Sequence, residues 1–440
     1  MVNEWMFHFV RNSLRLPTGV IIRKIHFDGI ENFTKDVPVL LACNHPNSFF
    51  DGVIFEHISG RRVYTLARGD AFLKPKPNYM LRSMRILPIF RARDADAKTA
   101  RSGNARTMDE LYERFKLKHG ILIFTEGSAY PEKAIRPLKN GTAGIAIEMA
   151  KRSNFTMDLH VVPTALNYTS FWPHIQKTVH VTYEKPIPIM DYVEMIKNDE
   201  KGFTQMLNSK IQANFDRNVV ITKGDFTAEK EFLHEVIVNE NYETAAFKIN
   251  DRWKLSVYKI NQMNADFAEK VNAYMADLKK HKVLDSNVGN RGFDYISSFL
   301  AIVTMGWSLP IYFIWLLLFK LNDRFVHRKF KNIVFRDAVK ALVGMLQGIG
   351  LVIGVAITAA VLTPSYWWLL LTISGIYGAM CWFRIIDAFP HLWSELQWLG
   401  LSDNVKKEIT KILSLPISEK DSTTYLQAAD IELINNKTVK

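Results

Sequence analysis

The chain reads as an α/β protein: a mixed, largely parallel sheet flanked by helices, followed by a helical region and C-terminal membrane helices. Three observations predict this. Through residue 190, short apolar runs alternate with segments of helical periodicity, as in a sheet covered on both faces. From about Asp191 to Asp285 the pattern turns helical and strongly charged. Between Ile296 and Ile386 long apolar runs dominate.

Residues 1–22 come first. Their apolar stretch, Trp5 to Val10, precedes Arg11 and Arg15, the reverse of a secretory signal. A basic amphipathic helix lying on a membrane and an ordinary packing helix both fit. The α/β domain is expected over 23–190. Val20–Phe27 and Val37–Cys43 read as strands, with the turn Gly29-Ile30-Glu31-Asn32 between them. Val63–Ala67 and Arg85–Phe90 are further strands. Asn104–His119 carries helical periodicity through Met108, Leu111, Tyr112 and Phe115, and Gly120 stands where a helix ends. Ile121–Thr125 is a buried strand, Thr142–Lys151 a helix, and His160–Val162 a strand leading to Pro163.

Composition narrows the class. The 440 residues are 48% hydrophobic and carry a net charge of +12. With no basic low-complexity tract, that excess fits an anionic surface or anionic substrates. The apolar runs make nucleic acid the weaker partner. Only two cysteines occur, Cys43 and Cys381, which argues against a disulfide framework and for a reducing compartment. No Cys/His spacing suits zinc.

Chemistry concentrates at strand tips. In NHPNSFFDG, His45 follows a buried strand and Asp51 lies six positions on. A neutral imidazole is the natural base for a hydroxyl, and works best when a carboxylate fixes its tautomer. Residues six apart do not share a helix face, so the pair can meet only if the chain turns first; Pro46, Asn47 and Ser48 suit such a turn. A capping histidine and a helix-start aspartate would give the same letters. Glu126-Gly127-Ser128 follows another buried strand, and Arg136, Lys139 and Gly141 come next. A cationic loop feeding a helix N-terminus is a ready anion site, although a solvated loop is the plainer reading. Arg91 and Val162-Pro163-Thr164 mark two further strand tips. Cys43 closes an apolar run and reads as a small packed hydrophobe rather than a nucleophile.

Together NHPNSFFD, ILPIFR, IFTEG and VVP resemble, in order and spacing, the four blocks of the glycerophosphate and lysophosphatidate acyltransferase family. The similarity runs from about Phe27 to Tyr168. It implies that His45 is the base that deprotonates the acceptor hydroxyl and that Asp51 orients it. It further implies that Arg91, Glu126 and Gly127 bind the glycerophosphate, with Ser128, Arg136 and Lys139 in the same binding loop. Three departures stand out. Five residues separate His45 from Asp51 rather than four, which resembles a long-form branch with C-terminal membrane segments. Thr125 replaces the proline before Glu126. Ala129 and Tyr130 occupy the place of an arginine, whose charge Arg136 and Lys139 could supply. The implied reaction is direct acyl transfer from acyl-CoA or acyl carrier protein to glycerol-3-phosphate or 1-acylglycerol-3-phosphate, for phospholipid synthesis. No covalent intermediate, metal or bound cofactor is required. Backbone amides near Ser48 or Gly127 are candidate oxyanion donors. Transfer to another lysolipid, or a non-catalytic lipid-binding membrane protein of the same fold, are the alternatives.

The remainder is read as membrane-associated. After a charged helical region at 191–290, the embedded part spans 296–388 in three stretches: Ile296–Phe319, Ala341–Leu362 and Tyr366–Phe383. The basic loop Lys320–Lys340 belongs in the cytoplasm by charge bias, and a cytosolic thioester donor places the catalytic domain there too, as at a bacterial inner membrane. Pro310 could bend the first stretch into a re-entrant hairpin; a straight helix is the simpler form. Residues 390–440 form an amphipathic, then mobile, tail.

Overall fold

The computed structural model describes residues 4–58, 62–91, 94–171, 177–238, 253, 257–285, 309–330, 336–362, 393–394 and 397–407. The chain divides into two compact units. The first comprises Met1–Val219 with Lys320–Gly350, the second Val220–Phe319 with Leu351–Lys440.

The first unit is built on one sheet. Its strands are β1 (Ile22–Asp28), β2 (Val39–Cys43), β3 (Val63–Arg68), β4 (Ile86–Ile89), β5 (Gly120–Phe124), β6 (His160–Tyr168), β7 (Lys177–Tyr183) and β8 (Ile187–Pro188). The order is β1-β7-β6-β2-β5-β3-β4, with β8 beside β6. Pairings are parallel except β6 with β7 and with β8, so the expected mixed, largely parallel sheet is present. The helices are α1 (Glu4–Ile21), α2 (Phe49–Ile58), α3 (Pro75–Ser83), α4 (Ala97–Lys116), α5 (Gly141–Arg152), α6 (Val193–Asn198) and α7 (Glu200–Asn218).

The central strand shows why both faces need cover. Alternate side chains of a strand point to opposite sides. Val39, Leu41 and Cys43 of β2 pack with Phe50, Ile54 and Phe55 of α2. Leu40 and Ala42 pack on the other face with Leu111 of α4, Ile145 of α5 and Leu207 of α7. Helix α1 lies against α2, α3 and β1. Glu4 at its start pairs with Arg85 at 2.8 Å, and the Arg85 guanidinium stands 3.6 Å from the centre of the Phe7 ring. Phe7 and Leu14 are buried, while Trp5 and Phe9 stack on one another on the exposed side. The packing role expected as one of two readings of residues 1–22 is therefore present.

Several boundaries differ from those read in the sequence. Helix α4 starts at Ala97, seven positions before Asn104, because Asp96 caps it by accepting from the Thr99 amide. Gly120 does not end that helix. Lys118 takes the left-handed position, at φ 55°. Gly120 opens β5, where a Cβ would stand 2.9 Å from the Phe33 ring. Strand β6 continues through Pro163 to Tyr168 and receives β7, a strand not anticipated. The first part of the helical region assigned from residue 191, through Val219, is not an addition to the core. Phe203, Leu207, Ile211 and Phe215 of α7 are fully buried against the sheet.

The second unit contains α8 (Thr227–Val238) and α9 (Ala265–His281), joined through Leu233, Trp253, Val257, Ile260 and Val271. Later in the chain come two long helices, α10 (Leu309–Lys329) and α11 (Arg336–Leu362), each with residues assigned to both units. Among the described residues, no helix is long and apolar enough to cross a membrane. Of the three expected membrane stretches, residues 296–308 and 366–383 lie outside the described residues. Helix α10 has Pro310 as its second residue and runs on to Lys329, so the first half of the expected basic loop at 320–340 is helical. The hairpin bend expected around Pro310 also involves residues outside the description, as does the tail from 408.

If α7 belongs to the core, Leu207→Ala should cost about 2–5 kcal/mol of unfolding free energy, the range for a buried leucine. Denaturant unfolding of the full chain measures this. A change within about 0.5 kcal/mol, as at a surface position, would return α7 to a separate appendage.

Candidate active site

In parallel α/β sheets, side chains beyond the carboxyl ends of adjacent strands converge. Here β2 lies between β5 and β6, with Cys43 level with Phe124 and Thr164. The chain leaving β2 is held by Asn44. Its side-chain nitrogen donates to the Leu166 carbonyl at 2.9 Å, and its oxygen accepts from the Leu166 amide at 2.7 Å. The carboxamide thus does what one more peptide unit of β2 would do. It continues the ladder to β6 while the backbone turns away.

His45 follows, and the turn to α2 delivers Asp51. The Asp51 amide donates to the Ser48 carbonyl at 3.1 Å. Ser48 itself adopts φ 55°, a left-handed conformation uncommon for a residue with a side chain. This tight turn accommodates the six-residue separation. His45 Nδ1 and Asp51 Oδ2 stand 2.9 Å apart. An aspartate in that position accepts from Nδ1–H, which leaves the lone pair on Nε2. The imidazole stacks on Phe124, rings 3.7 Å apart at 10°. It lines a cavity of about 750 Å³.

Asp51 is wholly buried and surrounded by donors. Oδ2 also accepts from the Asn47 amide at 2.8 Å, and Oδ1 accepts from the Tyr168 hydroxyl at 2.7 Å. Tyr168, at the end of β6, was not among the expected site residues. Its position in a strand assumed to stop before Pro163 concealed it.

The loop after β5 is tied to the same turn. The two carboxylate oxygens of Glu126 accept from the backbone amides of His45 at 2.9 Å and Arg136 at 3.2 Å. Burial raises the Glu126 carboxyl above its ordinary range, against the lowering effect of these two donors. The Thr125 amide donates to the Cys43 carbonyl at 2.9 Å, and the Tyr130 amide to the His45 carbonyl at 3.1 Å. Gly127 has φ +68°, and its carbonyl accepts from Arg91 Nη1 at 2.7 Å. The rest of the Arg91 guanidinium binds Asp94, with Nη2 to Oδ1 at 2.7 Å. Burial pushes the Asp94 carboxyl up, but its Arg91 hydrogen bonds and the guanidinium charge hold it below the usual range.

The expected residues therefore divide. His45, Arg91, Gly127, Ser128 and Lys139 line the cavity. Asp51 and Glu126 stand behind it as supports. Ser128 Oγ donates to the Gly127 carbonyl at 2.8 Å. The Arg136 side chain pairs with Glu132 and lies over the Tyr130 ring; only its backbone amide reaches the cluster. Cys43 is fully buried in the core, and burial first, with the carboxylates Asp51 and Glu126 adding, pushes its thiol well up. This rules out a ready thiolate. The far part of the cavity is apolar, with Phe7, Val10 and Leu14 of α1, Val53 of α2, and Leu81, Met84 and Ile86 around α3 and β4. Among the described residues no group of His, Cys, Asp and Glu could hold a metal ion.

Such an arrangement holds the His45 imidazole at one end of a largely apolar cavity. Removing the Tyr168 hydroxyl should weaken it, because the fully buried Asp51 would lose a donor. Tyr168→Phe should cost about 1.5–3 kcal/mol, the range for a hydrogen bond to a charged group. Equilibrium unfolding checks this; a variant as stable as the wild type would mean that the Asp51 charge is satisfied without Tyr168.

Comparison with known proteins bears on the same residues. The family model described as Acyltransferase matches residues 24–167. Among solved structures, the 1-acyl-sn-glycerophosphate (LPA) acyltransferase PlsC from Thermotoga maritima is similar at 15% identity. That match covers 47% of this chain and 79% of that chain, with a TM-score of 0.33. No curated protein matches. The family match takes in the whole cluster, from His45 and Asp51 through Arg91 to Glu126, Gly127 and Lys139. Residues 24–167, about a third of the chain, thus resemble an acyltransferase domain.

Proposed function

We propose that this enzyme transfers a fatty acyl chain from acyl-CoA or acyl carrier protein to glycerol-3-phosphate or 1-acylglycerol-3-phosphate, in phospholipid synthesis. The observation that carries the reading is the 2.9 Å contact between His45 Nδ1 and a fully buried Asp51. It sits at the polar end of a cavity whose other walls suit an acyl chain.

His45 Nε2 takes the proton of the acceptor hydroxyl as that oxygen attacks the thioester carbonyl. Asp51 stabilises the imidazolium that forms. Collapse of the tetrahedral intermediate expels the thiolate, and the imidazolium returns its proton to that sulfur. The oxyanion needs a fixed donor. The Gly127 amide already donates to the Phe124 carbonyl at 3.1 Å. Of the two expected donors this favours the peptide at Ser48, which lies on the cavity wall. The chain itself supplies every proton transfer, so no cofactor enters the scheme.

We place this activity at a membrane, with the catalytic domain on the cytoplasmic side. Phe313, Leu317, Leu321 and Phe325 recur every fourth residue of α10, and each is exposed. Lys320, Arg324, Arg328 and Lys329 occur on the same helix. An exposed apolar stripe with basic neighbours suits an anionic bilayer surface.

His45→Ala should slow transfer by about 10²–10⁴-fold, the usual loss with a general base, while the protein folds normally. Release of free thiol in the presence of glycerol-3-phosphate measures it. Turnover within a few-fold of the wild type would remove His45 from the reaction.

A further inference from the structure

The resemblance assigns the acceptor's phosphate to Arg91, Glu126 and Gly127, with Ser128, Arg136 and Lys139 in the same loop. In the structure Arg91, Glu126, Gly127 and Arg136 are bonded within the protein. Arg91 is bound to Asp94 and to the Gly127 carbonyl. Glu126 holds two backbone amides. The Arg136 side chain pairs with Glu132 and is not on the cavity wall. The start of α5 offers further groups to an anionic ligand.

The first turn of α5 faces the same cavity through Gly141 and Thr142. A helix start leaves backbone N–H groups without intrahelical partners. Side chains usually cap them, but Asn140, at the N-cap of α5, makes no side-chain bond to the helix. Its side-chain oxygen instead accepts from Asn208 at 3.1 Å. Thr142 adds a second, independent feature. It is 0% exposed, yet its hydroxyl has no hydrogen-bond partner among the described residues. A buried hydroxyl left unpaired costs free energy unless a ligand completes it. Lys139 stands just before the helix, also on the cavity wall. Uncapped amides, a hydroxyl and an ammonium group together match the several oxygens and double charge of a phosphate ester.

Resting on the acyl-transfer reading, we propose that the N-terminus of α5, with Thr142 and Lys139, is the subsite that binds the phosphate of a substrate. The acceptor's phosphate is the source the proposal favours, since His45 and Thr142 share one cavity. A phosphate of the thioester carrier has the same chemistry.

Thr142→Val in the full chain tests this. The change keeps the shape and removes only the hydroxyl, so the unliganded variant should be no less stable than the wild type. Inorganic phosphate should raise the thermal midpoint of the wild type, and Thr142→Val should need about tenfold more phosphate for the same rise. In steady state the Michaelis constant for glycerol-3-phosphate should rise by a similar factor, with that for the acyl donor unchanged. A rise for the donor alone would keep the subsite but assign it to the carrier's phosphate. Lys139→Gln should behave in the same direction and serves if Thr142→Val does not fold. Equal phosphate stabilisation of wild type and both variants, with neither Michaelis constant moved, would overturn the proposal. The phosphate measurement needs no turnover. If His45→Ala left transfer intact, the catalytic reading would fail while this subsite could still be scored.

Discussion

A carboxylate with no exposed surface must find its stabilisation inside the protein. Asp51 does so with three donors from two stretches of chain: the His45 ring and the Asn47 amide in the turn, and the Tyr168 hydroxyl at the end of β6. Charge burial without partners would cost several kcal/mol. The tip of β2, the start of α2 and the end of β6 are therefore coupled in one polar cluster. The same cluster fixes the tautomer of His45, so the base is a product of the way the core is closed.

Around that carboxylate lies a second ring of constraints. Glu126 ties the β5 loop to the His45 turn through the His45 amide and to its own far end through the Arg136 amide, and Arg91 ties the β4 loop to Gly127. In the sequence, Arg91, Glu126 and Gly127 stand out as groups that could meet a substrate. In the structure, Arg91 and Gly127 reach the cavity wall, but the bonds Arg91 and Glu126 make are to the protein. What they supply is position: they hold a mobile type of element, the strand-tip loop, to the accuracy that proton transfer requires.

How much could be read from the letters depends on the range of the interaction concerned. The contact between His45 and Asp51 was legible because both lie near one strand tip with turn-forming residues between them. The parallel core was legible because VPVLLAC and ILIFT are apolar without alternation, as doubly covered strands are. Tyr168 was not, since it meets Asp51 across 117 positions and lies in a strand whose proline suggested an end. Thr142 was hidden too, because its meaning lies in a missing partner. Gly120 was misread as a helix end, where its true constraint is the close approach of Phe33. Helix α7 looked like a charged appendage because the apolar side chains it buries, Phe203, Leu207, Ile211 and Phe215, recur only every fourth residue.

The central claim is that His45 and Asp51 act as one unit in transfer. A double-mutant cycle with His45→Ala, Asp51→Asn and the combined variant measures it directly. Groups that work through one another are not additive. The account predicts that adding Asp51→Asn to His45→Ala causes little further loss, although Asp51→Asn alone slows transfer severely. Losses that multiply in the double variant would contradict it, because Asp51 would then act on the reaction without passing through His45.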